Sequence, residues 1–251
     1  MTKRWTYSPA SDLMLPPEER WRSVRREQGL FSWLGHRASL GVLRAYFGVC
    51  HRLRVIGAEH LPLAPPFVVI SNHASHLDSL ALACVLPRTA RSFAFPIAAG
   101  DAFFNSVLLS ALSATFINAV PLWRKKVTTH AMADLRTRLL EGRSGFILFP
   151  EGSRTRDGGV QAFRAGLGML VAGTGVPVVP CYIDGAFSAM PPGSRVPRPR
   201  RLTIIVGPAL RFDDVPDERE GWTRIAEQTR ARVMALAGAC GADRPEPARP
   251  G

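Results

Sequence analysis

Three catalytic fingerprints are absent from this chain of 251 residues. It contains no Gly-x-Ser-x-Gly turn, no Gly-x-x-x-x-Gly-Lys-Ser/Thr phosphate loop and no Gly-x-Gly-x-x-Gly dinucleotide motif. Their absence disfavours a serine hydrolase, a phosphate-loop ATPase and a dinucleotide-dependent dehydrogenase. No cofactor is therefore expected.

Cysteine is scarce and scattered along the chain. No Cys-x-x-Cys unit occurs among the four cysteines, which are Cys50, Cys84, Cys181 and Cys240. Neither a disulfide framework nor a zinc ribbon is expected, and a reducing cytoplasmic setting is the default. Residues 1–9 contain no apolar run of the kind found in secretory signal peptides, so no signal peptide is expected.

Acidic residues are outnumbered by basic ones. The chain has 32 Lys and Arg against 20 Asp and Glu, a net charge of +12. Such a surplus suits anionic lipid headgroups, nucleic acid or an acidic carrier protein. The basic residues are dispersed and no helix-turn-helix or RNA-binding signature occurs, so nucleic acid is not expected as a partner.

One long segment has no charged residue. Residues 102–123 could reach across a bilayer, but several Asn, Ser and Thr residues interrupt the run. A buried helix at 101–113 followed by a strand at 115–121 accounts for the segment better than a membrane span.

Short apolar runs alternate with helical patterns from Pro66 onward. This alternation predicts a single α/β domain with a mixed or mostly parallel sheet flanked by helices. The predicted strands lie at 66–71, 91–95, 115–121, 145–149, 177–183 and 202–206. The predicted helices lie at 76–86, 101–113, 126–141, 161–173 and 219–236. The domain is expected over residues 61–240, with a disordered tail at 241–251.

Residues 1–60 are expected to form an amphipathic helical region that associates with a membrane. Basic residues at 20–26 precede a helical pattern with Trp and Phe, a combination that can lie in a membrane interface. The alternative is a pair of helices packed on the domain's own core. The two interpretations are compatible, because one helix can do both.

A polar segment, 71–78, follows the apolar run 66–70 directly. The run predicts a buried strand, so His73 would lie on the turn at its carboxyl end, where open α/β sheets place their chemistry. Asp78 would fall in the first turn of the next helix. Its carboxylate could hold Nδ1 of the imidazole and leave Nε2 free to take a proton from a hydroxyl.

Two other interpretations of this segment stay open. Ser75-x-x-Asp78 also fits an acidic capping box that starts the helix. His73, His76 and Asp78 could instead bind a metal ion, but no further His/Cys cluster completes a ligand set. No metal is therefore expected.

The predicted strand 145–149 runs into a loop rich in Gly, Ser and Arg. Gly152 lets the backbone approach a ligand, Ser153 supplies a hydroxyl, and Arg154 offers a planar fork for phosphate oxygens. Glu151 repels phosphate, so we expect it to orient an arginine or a substrate hydroxyl. This loop and the His73 turn follow buried strands and can converge on one cleft.

Arg164 adds a cation beside the amino end of the next predicted helix. The alternative for the whole segment is an Arg-rich loop that is merely solvated.

Together these segments resemble the glycerophospholipid acyltransferase family. Asn72-His73-x-x-x-x-Asp78 is similar to its catalytic block, 149–154 to its acceptor-phosphate block, and 176–180 to its closing hydrophobic block. The remaining block departs from the pattern: Asn118-Ala119 fills the place of the usual acid-Arg pair, and Arg124 lies several residues late.

The resemblance implies transfer of a fatty acyl group from acyl-CoA or acyl-carrier protein to the hydroxyl of a lysophospholipid, most often lysophosphatidate. It implies His73 and Asp78 as the catalytic pair, and Glu151, Gly152, Ser153, Arg154, Arg124 and Arg164 as substrate-binding residues. A backbone amide near the turn at 151–152 would stabilise the oxyanion. We expect a peripheral location on the cytoplasmic face of the cell membrane, on anionic lipid. Two alternatives remain. The acceptor could be a different lyso-lipid, such as a lyso-aminolipid or a glycolipid, or the protein could be a non-catalytic membrane-binding relative.

Overall fold

A computed structural model describes residues 14–16, 30–99, 120–122, 129–142, 144–194 and 196–242. The strands in this part of the chain are β1 (Arg54–Ile56), β2 (Phe67–Ser71), β3 (Ala94–Ala99), β4 (Val120–Leu122), β5 (Gly145–Leu148), β6 (Thr174–Asp184), β7 (Thr203–Val206) and β8 (Leu210–Phe212). The helices are α1 (Leu30–His51), α2 (Leu77–Val85), α3 (Arg88–Arg91), α4 (Thr129–Leu140), α5 (Gly166–Val171), α6 (Ala186–Ala189) and α7 (Arg219–Ala242). A short 3₁₀ helix covers Ala58–His60.

The strands described form one eight-stranded sheet in the order β1-β7-β6-β2-β5-β3-β4, with β8 also paired to β6. β2 lies between β5 and β6 and is parallel to both. β7 and β8 run antiparallel to β6. The sheet is therefore mixed and mostly parallel, which confirms the predicted fold class.

β2 is the buried centre of this sheet, and all five of its residues are buried. Alternate side chains of a strand point to opposite faces, and here they join two different cores. Val69 packs in a cluster with residues of α1 and α2, whereas Val68 and Ile70 pack in a cluster with residues of α4, α5 and α7. A strand covered on both faces carries a continuous apolar sequence, which is the signal that predicted it.

Some predicted boundaries are wrong, and local contacts explain the differences. The helix predicted at 161–173 begins only at Gly166, because Gln161 and Arg164 use their backbone N–H groups to bond Glu151 and Pro150. The strand predicted at 91–95 begins only at Ala94, after a helical turn at 88–91. Strands β1 and β8 were not predicted, since each has only three residues. The predicted helix 101–113, residues 115–119 of the next strand and residues 243–251 of the predicted tail lie outside the described residues. Residues 241 and 242, which were also assigned to the tail, belong to α7 instead.

α1 packs on the domain's own core through one face. Leu40 and Phe47 are 3% and 0% exposed, which supports the core-packing interpretation of this region. Another face of α1 presents Leu34, Val42 and Val49 to solvent, and these are 51%, 71% and 79% exposed. Within the described part of the chain, no helix combines the length and the apolar character needed to cross a membrane.

Candidate active site

The site forms at the edge of the sheet where β2 and β5 both end. The two strands are parallel and in register, with Ile70 opposite Leu148. Asn72 and His73 follow β2, and the loop that starts at Phe149 follows β5. The structure therefore brings the two motifs together, as the order of strands and polar segments predicted.

His73 is held by the carboxylate of Asp78. Oδ2 of Asp78 lies 2.9 Å from Nδ1 of His73, and the Asp78 side chain is 0% exposed whereas that of His73 is 21% exposed. A carboxylate only accepts hydrogen bonds, so Nδ1 carries the hydrogen and Nε2 keeps its lone pair. The imidazole is thus oriented to act as a base through Nε2.

The same carboxylate also fixes the start of α2. Oδ2 of Asp78 accepts hydrogen bonds from the N–H groups of Ala74 and Ser75, at 2.7 and 2.8 Å. The hydroxyl of Ser75 accepts a bond from the N–H of Leu77. The helix begins at Leu77 with His76, and not Ser75, as its N-cap residue. The predicted capping box is therefore wrong in its cap position, although Asp78 does bond the N–H of Ser75 with the same oxygen that holds His73. The other oxygen, Oδ1, is buried and has no hydrogen-bond partner.

The loop after β5 holds the backbone of His73 from both sides. The N–H of His73 donates to Oε1 of Glu151 at 2.8 Å, and its carbonyl oxygen accepts from the N–H of Thr155 at 2.8 Å. The Phe149 ring stacks on the imidazole, with 4.2 Å between the ring centroids. The turn that carries His73 and this loop are therefore joined at three points.

Glu151 is a buried positioning group in this structure. It is 4% exposed, and its second oxygen accepts from the N–H of Gln161 at 3.3 Å. Burial raises the pKa of its carboxyl, although the hydrogen bonds from the His73 and Gln161 backbones oppose the shift. The Glu151 carboxylate was expected to orient an arginine or a substrate hydroxyl, but in this structure it bonds backbone amides. Nε of Arg164 donates instead to the backbone carbonyl oxygen of Glu151, at 3.2 Å.

Gly152 allows Arg164 to cross closely over the loop. Its φ is +75°, and a Cβ at this position would lie 2.7 Å from Nε of Arg164. The N–H of Gly152 donates to the carbonyl of Phe149 at 3.0 Å. That amide is occupied, so Gly152 itself does not supply the backbone amide expected near this turn as oxyanion donor. Among the described residues, the N–H groups of Ser153 and Arg154 have no acceptor, and they are the better candidates.

Arg154 supplies positive charge beside His76. Burial lowers the pKa of His76, and the neighbouring charges of Arg154 and His73 lower it further. The Arg154 guanidinium is half-buried and makes no hydrogen bond or ion pair with the part of the chain described here. Ser153 and Arg164 are exposed on the same loop region, whereas Arg124 lies outside the described residues.

Asn72 has a role that its sequence position alone did not reveal. Its Oδ1 accepts from the N–H of Ile183 at 2.8 Å, and its Nδ2 donates to the carbonyl of the same residue at 3.1 Å. The amide side chain thus continues the β2–β6 ladder beyond the end of β2. The available signal was the polar pair Ser71-Asn72 closing an apolar strand, because buried polar groups need partners.

His73, His76 and Asp78 do not form a metal site in this structure. Within the described ranges, no group of three or more His, Cys, Asp and Glu residues is placed to hold a metal ion. The carboxylate of Asp78 is used instead by His73 and two backbone amides.

Similarity to known proteins agrees with this geometry. The chain is 34% identical over 149 residues to the chloroplast 1-acyl-sn-glycerol-3-phosphate acyltransferase LPAT1 of Arabidopsis thaliana, covering 57% of this chain and 39% of that protein. It is 34% identical over 136 residues to the human 1-acyl-sn-glycerol-3-phosphate acyltransferase alpha, covering 53% and 46%. The chain thus spans less than half the length of these two relatives.

The fold is also that of a solved structure, the 1-acyl-sn-glycerophosphate acyltransferase PlsC of Thermotoga maritima. The TM-score is 0.62 at 21% identity, over 84% of this chain and 83% of that one. The sequence model of the acyltransferase family matches residues 52–184, which is more than half of the chain and includes both motifs. The chain therefore belongs to the acyltransferase family.

Proposed function

We propose that this protein transfers a fatty acyl group from acyl-CoA or acyl-carrier protein to the hydroxyl of lysophosphatidate and releases phosphatidate. The observation that carries the proposal is the His73–Asp78 pair, with the unpaired Arg154 guanidinium on the loop that bonds the backbone of His73. The names of the relatives, which describe acyltransferases for 1-acyl-sn-glycerol-3-phosphate, support the choice of acceptor.

The chemical step is direct transfer in a ternary complex. Nε2 of His73 removes the proton from the acceptor hydroxyl while that oxygen bonds to the thioester carbonyl carbon. When the C–S bond breaks, the thiolate takes the proton back from the imidazolium. Asp78 stabilises the imidazolium, and the face of Phe149 stacked on the ring adds a favourable cation–π contribution.

Arg154 binds the acceptor phosphate in this proposal. Its planar fork can hold two phosphate oxygens, and no carboxylate of the described residues competes for it. Arg164, which crosses over Gly152, and Arg124 are the further cations assigned to the acceptor. Glu151, which keeps its carboxylate on backbone amides, acts as a positioning residue for the turn that carries His73.

The decisive experiment measures acyl transfer by the purified chain with acyl-CoA and with acyl-carrier protein as donors. Lysophosphatidate should be the preferred acceptor over lysophosphatidylethanolamine and a lyso-aminolipid, and His73→Ala should abolish turnover without loss of fold. Preference for another acceptor would keep the chemistry and change the substrate. No transfer to any acceptor despite lipid binding would indicate a non-catalytic relative.

We also propose that the protein binds the cytoplasmic face of the membrane peripherally, through the exposed apolar face of α1. Leu34, Val42 and Val49 could insert shallowly, with Arg37 and Arg44 near the headgroups. Leu34→Glu should weaken flotation with anionic liposomes. Leu140→Glu on α4 is the matched control, because both leucines are 51% exposed. Equal flotation of the two variants would contradict the assignment to α1.

A further inference from the structure

Arg91 is a buried cation with an unused donor. Its side chain is only 8% exposed, and its Nη1 is shielded from solvent without a hydrogen-bond partner. A guanidinium in this position normally bonds a carboxylate or carbonyl oxygens, because an unpaired buried charge is costly. This donor therefore lacks an acceptor, and the described chain does not supply one.

Three more arginines surround this group. Burial lowers the pKa of Arg91, and the charges of Arg44, Arg88 and Arg37 lower it further. No Asp or Glu of the described part of the chain raises the pKa of Arg91 in return. The three neighbouring arginines are exposed, so the cluster opens to solvent with Arg91 at its base. Like charges thus surround Arg91, and no described carboxylate offsets its own charge.

Arg44 of α1 is held in place by contacts with the carboxyl end of α2. Nε of Arg44 donates to the carbonyl of Cys84 at 2.8 Å, and its Nη2 donates to the carbonyl of Leu86 at 3.5 Å. Arg88 and Arg91 are three residues apart on the single turn of α3 and so lie on one side of it. These contacts bring guanidinium groups from two distant parts of the chain together.

This place is at the opposite edge of the sheet from His73. Phe93, just after α3, accepts at its carbonyl a hydrogen bond from the N–H of Gly145, where β5 begins. The catalytic turn contacts the loop that follows the end of β5. No residue of the arginine cluster belongs to the catalytic turn or to that loop.

We propose that Arg44, Arg88 and Arg91, with Arg37 at the rim, form a second anion site that binds one phosphate group. A phosphate offers several acceptor oxygens and negative charge, which would satisfy Nη1 of Arg91 and offset the repulsion among the arginines. The site goes beyond the proposed acyl transfer, because it lies away from the reacting groups, and its lipid form rests on the proposed membrane binding through α1. The phosphate could belong to a lipid headgroup or be free in solution.

A lipid headgroup is the favoured source. Arg37 and Arg44 lie on α1 beside the exposed apolar side chains of Leu34 and Val42. An anionic lipid would present its phosphate to the arginines and its acyl chains to that apolar face. A free phosphate would use the arginines alone, so the two sources can be separated by experiment.

The test uses the full chain with Arg154→Ala as background, which weakens phosphate binding at the catalytic edge. Arg91→Met keeps an apolar stem without the charge, and Arg88→Gln alters only an exposed side chain. Arg224→Gln, an exposed arginine of α7, is the matched control for net charge. One arm measures Tm with inorganic phosphate at constant ionic strength. The other measures binding to phosphatidylcholine vesicles with and without phosphatidylglycerol.

Arg88→Gln and Arg91→Met should each weaken binding to the anionic vesicles by about tenfold or more, relative to Arg224→Gln. If these variants also lose a rise in Tm that phosphate induces in the background protein, free phosphate binds to the site as well. If they change only the Tm response and not vesicle binding, the site is assigned to free phosphate. In phosphate-free buffer without vesicles, Arg91→Met should not lower Tm, because it removes an unpaired buried charge. If Arg91→Met does not fold, the vesicle and Tm measurements on Arg88→Gln alone test the proposal. Behaviour of Arg88→Gln like the control in both arms would overturn the proposal.

Discussion

The backbone N–H of His73 lies 2.8 Å from Oε1 of Glu151, a residue that is far along the chain and belongs to the second motif. This hydrogen bond makes the acidic residue of the Arg154 loop part of the support for the proposed base. It also explains why a carboxylate stands next to a proposed phosphate site: its charge is turned toward backbone amides.

Asp78→Asn should be less harmful than Asp78→Ala. Three hydrogen-bond donors converge on Oδ2, so the carbonyl oxygen of an asparagine would take that place and preserve the tautomer of His73. We expect Asp78→Ala to lower kcat by about 100- to 10,000-fold, the range of general-base catalysis. Asp78→Asn should lower kcat by a clearly smaller factor than Asp78→Ala does, and it should change kcat more than KM. Equal kcat for the two variants, measured at saturating substrates, would contradict this geometry.

Glu151→Gln should change how stability depends on pH. The folded-state pKa of Glu151 is raised, so its contribution to the free energy of unfolding is fully present below its ordinary pKa of 4.5 and is lost as pH rises through the raised value. The stability of the wild type minus that of Glu151→Gln should therefore fall as pH rises above 4.5. Denaturant unfolding at several pH values measures this difference.

The matched control is Glu227→Gln, on the exposed part of α7. For each variant, the free energy of unfolding is subtracted from that of the wild type at every pH. If this difference changes with pH no more for Glu151→Gln than for Glu227→Gln, the buried carboxyl is not coupled to folding.

Gly152→Ala should disturb the Arg164 contact as well as the backbone. An alanine at positive φ costs about 1–2 kcal/mol, and here its Cβ would also displace Nε of Arg164. Gly142→Ala is the control, because Gly142 has a φ of +76° and its new Cβ would have no atom within 4 Å. Both variants should lose similar backbone stability, but only Gly152→Ala should raise the KM for lysophosphatidate. A normal KM in Gly152→Ala would remove Arg164 from the acceptor site.

Asn72→Ala should destabilise the fold through β6. Both backbone groups of Ile183 would lose their partner, and each buried group left unpaired costs about 1–3 kcal/mol. Ser71→Ala, which removes only a hydroxyl that donates to Asn72, should cost about 0.5–1.5 kcal/mol. Chemical denaturation measures both values. A smaller loss in Asn72→Ala than in Ser71→Ala would show that the ladder does not depend on this side chain.

The sequence predicted the centre of the fold and the partners in the site because both depend on local patterns. Apolar runs marked β2 and β5, and the five-residue spacing between His73 and Asp78 is enough to join a turn to the first turn of a helix. The role of Glu151 could not be read in this way. Its partners, the N–H of His73 and the N–H of Gln161, become visible only when two loops meet in space.

The arginine cluster shows the same limit. Arg44 and Arg91 are separated by the whole of β2 and α2, and only the packing of α1 on α2 brings them together. In the sequence these arginines are part of a dispersed positive charge, which by itself indicates neither a site nor a ligand.

The contact between Asn72 and Ile183 also sets an order of assembly. These residues lie 111 positions apart, so Asn72, which precedes His73 on the turn, has no partner until β6 has been synthesised and has joined β2. Long-range pairing of this kind is slow to form, because the intervening chain must first be brought together. During synthesis, a nascent chain that ends before β6 would contain both catalytic motifs, but Asn72 beside the proposed base would still lack its partner.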